Sequence, residues 1–350
     1  MAQEIQSEIE ERWQSLAPVF IRGMQRSGTS VLVRALEAAS FVGFPEGHLW
    51  FDLMEPIAWL RNPEYQRGQH LKQEGFALGE GRDVIFEKYI AWAIDRYHRD
   101  MLSVDRTRWF DKSPGGYAVK MLPILIELFP QSQIIYVYRN GITVVHSGFA
   151  LWSESNPNIF HGMCFGWART MRTWRKLKGL LKGRYIELSQ ERMVKKPYKV
   201  ASMLTDFLHV PEHHKRIAQL LHSRRENSAF PGRPPGDYQY RIDWSDEQKE
   251  HFVDMCGEEM KAWGYPIDFD EPGGPTRAHP TPAESPIDDV RDYYAWLGGT
   301  RQEVAQLMQE RDNLKQERDQ LLDLLERINQ GRVMRVLNEA DKLLRHLGLR

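Results

Sequence analysis

The chain reads as an α/β three-layer sandwich with a central, mostly parallel sheet, followed by a helical tail. Short apolar runs of strand formers alternate with stretches of helical spacing, an order that implies right-handed crossovers and helices on both sheet faces. Turn-forming segments stand at the strand ends. The 350 residues are 41% hydrophobic and 27% charged, enough for a sizeable core and roughly two domains by length.

In chain order, Val19-Phe20-Ile21 is a strand that empties into Arg22–Ser30, beyond which Val31, Leu32, Ala35, Leu36 and Ala39 recur at helical spacing. Trp109-Phe110 leads into Asp111-Lys112-Ser113-Pro114-Gly115-Gly116 and then an apolar helix through Leu128. Ile134–Tyr138 is the clearest buried strand, turned by Arg139-Asn140-Gly141 into a helix carrying Val144, Val145 and Ser147. A fourth strand is expected at Tyr185–Leu188, with a helix at Val200–Leu208 after it. Helical insertions are expected near Leu49–Leu60, Asp83–Met101 and Phe160–Leu181; tryptophans such as Trp152, Trp167 and Trp174 read mainly as helix packing on the sheet.

Residues 1–17 form an N-terminal helical arm and 18–264 the body in this reading. A linker is expected over 265–298, because Gly264–Pro286 holds Pro266, Pro272, Pro275, Pro280, Pro282 and Pro286. In the tail, 299–350, Leu307, Leu314, Leu321 and Ile328 repeat every seven residues, but Arg311 and Arg318 stand in the companion positions. Three readings remain open there: a coiled coil that joins copies of the chain, a solvated helix, and a helix packed on its own domain. The last segment gathers Val333, Val336, Leu337, Ala340, Leu343, Leu344 and Leu347 on one face beside Arg332, Arg335, Lys342 and Arg345, as a partner-binding or membrane-surface helix does, or one that packs on the body.

Forty-seven Lys and Arg against 48 Asp and Glu leave a net charge of −1, which argues against coating nucleic acid by bulk charge. Two cysteines, Cys164 and Cys256, support neither a disulfide framework nor a four-ligand zinc site. Met1–Trp13 is polar and acidic, unlike a secretory signal, and the most apolar stretch, Met121–Phe129, is too short to span a bilayer. The expectation is a soluble, cytoplasmic protein. His213-His214 beside His209 reads as a solvated helix face rather than a metal site.

Gly23–Ser30 has the form of a phosphate-binding loop at a helix start, where unpaired N–H groups and the helix dipole favour an anion. The nucleoside-triphosphatase version needs Gly-Lys-Ser/Thr, whereas Thr29 follows Gly28 here and the cation is Arg26. The loop is therefore P-loop-like without the magnesium-binding arrangement. Lys112 and Arg139 follow two further strands, so a parallel sheet would bring all three cations to one crevice. An internal carboxylate accounts for any one of them more easily than for all three.

Arg26-Ser27-Gly28-Thr29-Ser30 resembles the 5′-phosphosulfate loop of sulfotransferases that use 3′-phosphoadenosine 5′-phosphosulfate (PAPS). Tyr138-Arg139-Asn140-Gly141 with His146-Ser147 resembles their 3′-phosphate motif, and Lys112-Ser113-Pro114 their Lys-Asp-Pro-like element. The pattern is most similar to the tyrosylprotein type, which has arginine in the first loop and a glutamate about twenty residues on, matching Glu46. Tyr185-Ile186-Glu187-Leu188 resembles a later Tyr-Glu-x-Leu element, with Ile where Glu is usual. The resemblance covers about Pro18–Pro211 and none of the tail; no acceptor-binding part can be matched, so protein tyrosine is not implied as substrate.

The resemblance implies a sulfotransferase that moves a sulfuryl group from PAPS, as co-substrate, to a hydroxyl or amine acceptor and releases adenosine 3′,5′-bisphosphate (PAP). Arg26, Ser27, Gly28, Thr29 and Ser30 would hold the 5′-phosphosulfate, Arg139 and Ser147 the 3′-phosphate, and Tyr185 would lie near the nucleotide. Lys112 would stabilise the leaving oxygen. Glu46 is the first candidate for the base and His48, whose imidazole titrates nearer neutrality, is the rival. A sulfate monoester carries one charge fewer than a phosphate monoester, so no metal is expected to be required. The acceptor stays open among carbohydrate, lipid, small phenol and peptide. Two alternatives stand beside this reading: a magnesium-dependent kinase or nucleotidase, and a non-catalytic scaffold assembled through the Leu307–Ile328 helix.

Overall fold

The computed structural model describes residues 16–47, 109–154, 156, 158–223 and 242–297, with scattered helical positions between 309 and 346. The chain divides into two compact units, Met1–Tyr294 and Ala295–Arg350.

In the first unit, β1 (Val19–Gly23) leads through a loop to α1 (Thr29–Ala38) and the short β2 (Val42–Phe44). β3 (Trp109–Lys112) precedes α2 (Gly116–Lys120) and α3 (Leu122–Leu128). β4 (Gln133–Tyr138) precedes α4 (Gly141–Trp152) and α5 (Ile159–Leu177). β5 (Tyr185–Ser189) precedes α6 (Gln190–Lys195), α7 (Pro197–Leu208) and α8 (His214–Ser223), and α9 (Asp246–Trp263) follows. Where the sequence suggested one helix through Leu128, two form. Pro123 lies at the start of α3, where its missing N–H breaks no helical bond.

All pairings are parallel, in the order β2-β3-β1-β4-β5. The α/β architecture with a parallel central sheet is therefore as the sequence predicts. β2 was not anticipated: three half-buried residues at the sheet edge leave too short an apolar run to read. The strands bury residues on both faces, and alternate residues sort between them. Val19, Ile21, Phe110, Ile135 and Val137 join α1, α7 and α8 in one core through Leu32, Leu36, Leu204 and Ile217. On the other face Phe20, Trp109 and Phe129 meet edge to face or tilted, and Tyr136 stacks on Trp174 of α5 with ring centres 4.0 Å apart.

The connection leaving β1 thus goes to one face, while that leaving β4 goes to the other. β1 and β4 are neighbours, which makes the gap between their carboxyl ends the topological switch point, where ligands bind in open parallel sheets.

The Pro/Gly-rich segment after α9 is irregular through residue 289 and helical from 290, and up to Tyr294 it belongs to the first unit. Backbone bonds tie Thr276 to Gly264, Thr281 to Ala262 and Ile287 to Lys176. Arg175 donates to the carbonyls of Thr281 and Pro282, and the Tyr293 hydroxyl donates to that of Lys120. This stretch lies along the body as a strap, where sequence composition suggested a spacer. Cys164 and Cys256 are buried and unlinked, the thiol of Cys256 donating to the Cys164 carbonyl at 3.4 Å.

In the second unit, the described residues 315–322 are helical, and Leu321, on the heptad seam, is exposed. The N-terminal arm up to residue 15 and the expected helices at 49–60 and 83–101 lie outside the described residues. Among the described residues, no helix is long and apolar enough to cross a membrane.

Candidate active site

The loop after β1 carries two left-handed residues, Arg26 (φ 69°) and Gly28 (φ 92°). At Gly28 glycine relieves the steric cost; at Arg26 a side chain tolerates it, and such strain clusters at ligand sites. Gly28 is the N-cap of α1, makes no side-chain cap, and no acidic residue stands in the first turn. Ser27 and Thr29 are buried, and the Ser27 hydroxyl has no hydrogen-bond partner among the described residues. A buried, unsatisfied hydroxyl beside a helix N-terminus costs free energy that an anion's oxygens would recover. Ser30 is half-buried in the first turn.

The Arg26 Nε donates to the Ser147 hydroxyl at 3.1 Å, and Arg139 Nη1 donates to the Arg26 carbonyl at 3.0 Å. Arg139 and Ser147, from the β4 loop and from α4, are both buried. Sequence reading placed Arg26 with one phosphate and the Arg139–Ser147 pair with another; the fold joins all three side by side. Across the crevice, Lys112 ends β3, is buried, and pairs with the carboxylate of Glu46, which is half exposed. His48 lies outside the described residues.

Glu46 reaches Lys112 because Gly47 permits it. The Gly47 N–H donates to the Lys112 carbonyl at 3.1 Å, and a Cβ on Gly47 would fall 1.7 Å from Asp111 Oδ1. Asp111 in turn pairs with Arg22 at 2.7 Å; both are essentially fully buried, and the Ser113 hydroxyl donates to the same carboxylate. Burial pulls the Arg22 guanidinium down, with Asp111 opposing. Arg22 and Asp111 received no role from the sequence. A charged residue inside the apolar run Val19–Gly23 was the available signal, since a buried charge needs a partner.

Tyr185 is not brought to the crevice. It pairs in register with Ile134 at the amino end of the sheet, whereas Tyr138, next to Arg139, pairs with Ser189. Four residues at about 3.3 Å each put it roughly 13 Å away. There it packs against Trp174 at 5.0 Å, and burial, then Glu187, push its hydroxyl up. A cavity of about 710 Å³ opens at that same amino end, lined by Gln133, Lys182, Arg184 and His209 among others. Its basic residues lie on the stretches that follow α5 and α7.

The residues sequence missed lie behind Arg139. Asn140 caps α4 by accepting from the Ile142 N–H, and its own N–H donates to buried Glu191 at 2.9 Å. The Asn140 amide donates to the Gly273 carbonyl of the strap, and the Tyr265 hydroxyl donates to Glu191 at 3.2 Å. Trp167 Nε1 donates to the Arg139 carbonyl at 3.1 Å.

The sulfotransferase family model matches residues 18–214, more than half of the chain. The chain belongs to the sulfotransferase family. The match covers β1 through the start of α8, and so every element of the crevice. An uncharacterized protein of Aquifex aeolicus (strain VF5) is 25% identical over 211 residues, 56% of this chain but 26% of that protein, so the chain spans about a quarter of the curated relative it matches. Among solved structures, the sulfotransferase STF9 from Mycobacterium avium is 14% identical, covering 74% of this chain and 79% of its own, with a TM-score of 0.41. The sulfotransferase domain of the Synechococcus PCC 7002 olefin synthase is 19% identical, covering 69% and 94%, with the same score. Retinol dehydratase, solved with androsterone and inactive cofactor PAP, is 15% identical, covering 70% and 80%, at 0.40.

Proposed function

We propose that this sulfotransferase moves a sulfuryl group from PAPS to a hydroxyl or amine acceptor, releasing PAP. The reading is carried by one observation: the carboxyl ends of the adjacent strands β3, β1 and β4 carry Lys112, Arg26 and Arg139, with Ser147 bonded to Arg26, beside a helix N-terminus whose Ser27 hydroxyl has no partner among the described residues. Membership of the sulfotransferase family, whose model spans every element of the crevice, supports a sulfuryl donor for that site.

In this reading the α1 N-terminus, with Ser27, Gly28, Thr29 and Ser30, holds the 5′-phosphosulfate, whose sulfate supplies the transferable group. Arg139 grips the 3′-phosphate bidentately with Ser147, and Arg26 lies between the two groups, able to serve either. Glu46 takes the proton from the acceptor as its oxygen or nitrogen forms the new bond to sulfur. Lys112 donates to the bridging oxygen as the old sulfur–oxygen bond breaks, so the charge developing on PAP is met by a cation already buried there. The Lys112–Glu46 pair suits these roles, because one residue delivers positive charge and the other receives a proton at adjoining places. Arginine, lysine and amide donors provide the needed charge without a metal.

Incubation with sulfate-labelled PAPS and a panel of carbohydrate, phenol, lipid and peptide acceptors tests the reading. Label on an acceptor, dependent on Lys112, supports it; a protein that binds PAPS yet labels none of these classes contradicts transfer.

A further inference from the structure

The peptide unit between Arg139 and Asn140 is held at both of its polar ends. Its carbonyl, from Arg139, accepts from the Trp167 indole at 3.1 Å, and its N–H, from Asn140, donates to Glu191 Oε1 at 2.9 Å. Both partners are buried and come from different elements, α5 and α6. Neither is a neighbour in sequence, so neither bond is a by-product of local secondary structure. A peptide plane held at its carbonyl and its N–H has little freedom to rotate, and the Cα–Cβ direction of the preceding residue is fixed with it.

We infer that Trp167 and Glu191 are positioning residues which clamp this peptide and thereby aim the Arg139 side chain across the crevice. Two further contacts brace the clamp. The Tyr265 hydroxyl donates to the other oxygen of Glu191, and the strap passes close enough that a Cβ on Gly274 would lie 3.4 Å from Glu191 Cβ. On the far side, Gly141 lies against the Trp167 ring, where a Cβ would fall 3.0 Å from it. Burial pushes the Glu191 carboxyl up, while the Asn140 N–H, Arg139 and the Tyr265 hydroxyl favour its charged form. The clamp itself needs only an acceptor oxygen, not a charge. This separates it from a role as counter-ion to Arg139.

The inference rests on the proposed nucleotide site, and PAP and AMP test both, since they differ only by the 3′-phosphate. The readout is the ratio of their dissociation constants, measured by calorimetry on the full chain. In the unaltered protein PAP binds the tighter. Glu191→Ala should shrink that preference by about tenfold, the upper range for one lost hydrogen bond, while leaving AMP binding unchanged. Glu191→Gln should restore the preference, because its amide oxygen still accepts from Asn140. Trp167→Phe, which keeps an aromatic ring but loses the indole donor, should shrink the preference even if Glu191→Ala does not fold. A Glu191→Ala protein that keeps the full preference, or loses PAP and AMP binding alike, overturns the clamp; so does a Glu191→Gln protein as impaired as the alanine variant. Equal binding of PAP and AMP by the unaltered protein overturns the 3′-phosphate site itself, and the clamp with it.

Discussion

Lys112 has one carboxylate against it and, in the proposed reaction, one developing oxyanion to serve. Lys112→Ala should therefore lower turnover far more than it weakens PAP, read as kcat against the PAP dissociation constant; an unchanged kcat removes Lys112 from the chemistry. Glu46→Gln should abolish transfer and preserve PAP binding. Activity that survives there and dies in His48→Ala makes His48 the base. Gly47 permits a sharper test, because any side chain collides with the Asp111 carboxylate. Gly47→Ala should push Glu46 away from Lys112 and reduce kcat, with PAP affinity nearly constant. Arg139→Ala should weaken PAP by about 1.5–3 kcal/mol, the scale of a charged hydrogen bond, with the fold retained in thermal unfolding.

Among the elements, β1 and β3 are joined by more than their ladder, since the buried Arg22–Asp111 pair crosses between them. Removing one partner leaves a buried charge alone, so Asp111→Ala should cost about 3–5 kcal/mol in denaturant unfolding; a loss below about 1 kcal/mol would mean that water reaches Arg22. Much of this framework was legible in the sequence. Val19–Ile21 and Ile134–Tyr138 are apolar without interruption because both faces are covered, and glycine-bearing turns mark where they end. What sequence could not supply was strand order and register. Tyr185 sits in a correctly read strand, but at its amino end, away from the crevice. Glu191 and Trp167 looked like ordinary helical residues because their partner is a backbone peptide, which leaves no trace in side-chain pattern. The proline-dense strap was misleading for a related reason: proline forbids helix and ladder, but not hydrogen bonds to a neighbouring body.

For the whole molecule, a net charge of −1 conceals a local gathering of cations at one end of the sheet, which in the proposed reading holds a small anion. The tail belongs to the second unit, where Leu321 is exposed, and self-pairing through the heptad seam is the reading of it that a deletion tests. If that reading holds, deleting Gly299–Arg350 lowers the number of chains per assembly in sedimentation; an unchanged number means that the helix binds something else or nothing. The crevice itself is tested most directly by calorimetric titration with PAP and, separately, with ATP and magnesium. Tight PAP binding with weak ATP binding is the expected result, since the proposed reading gives Arg139 and Ser147 the ribose 3′-phosphate and Thr29 stands where a triphosphatase needs lysine. Tight ATP–magnesium binding with no response to PAP would contradict it.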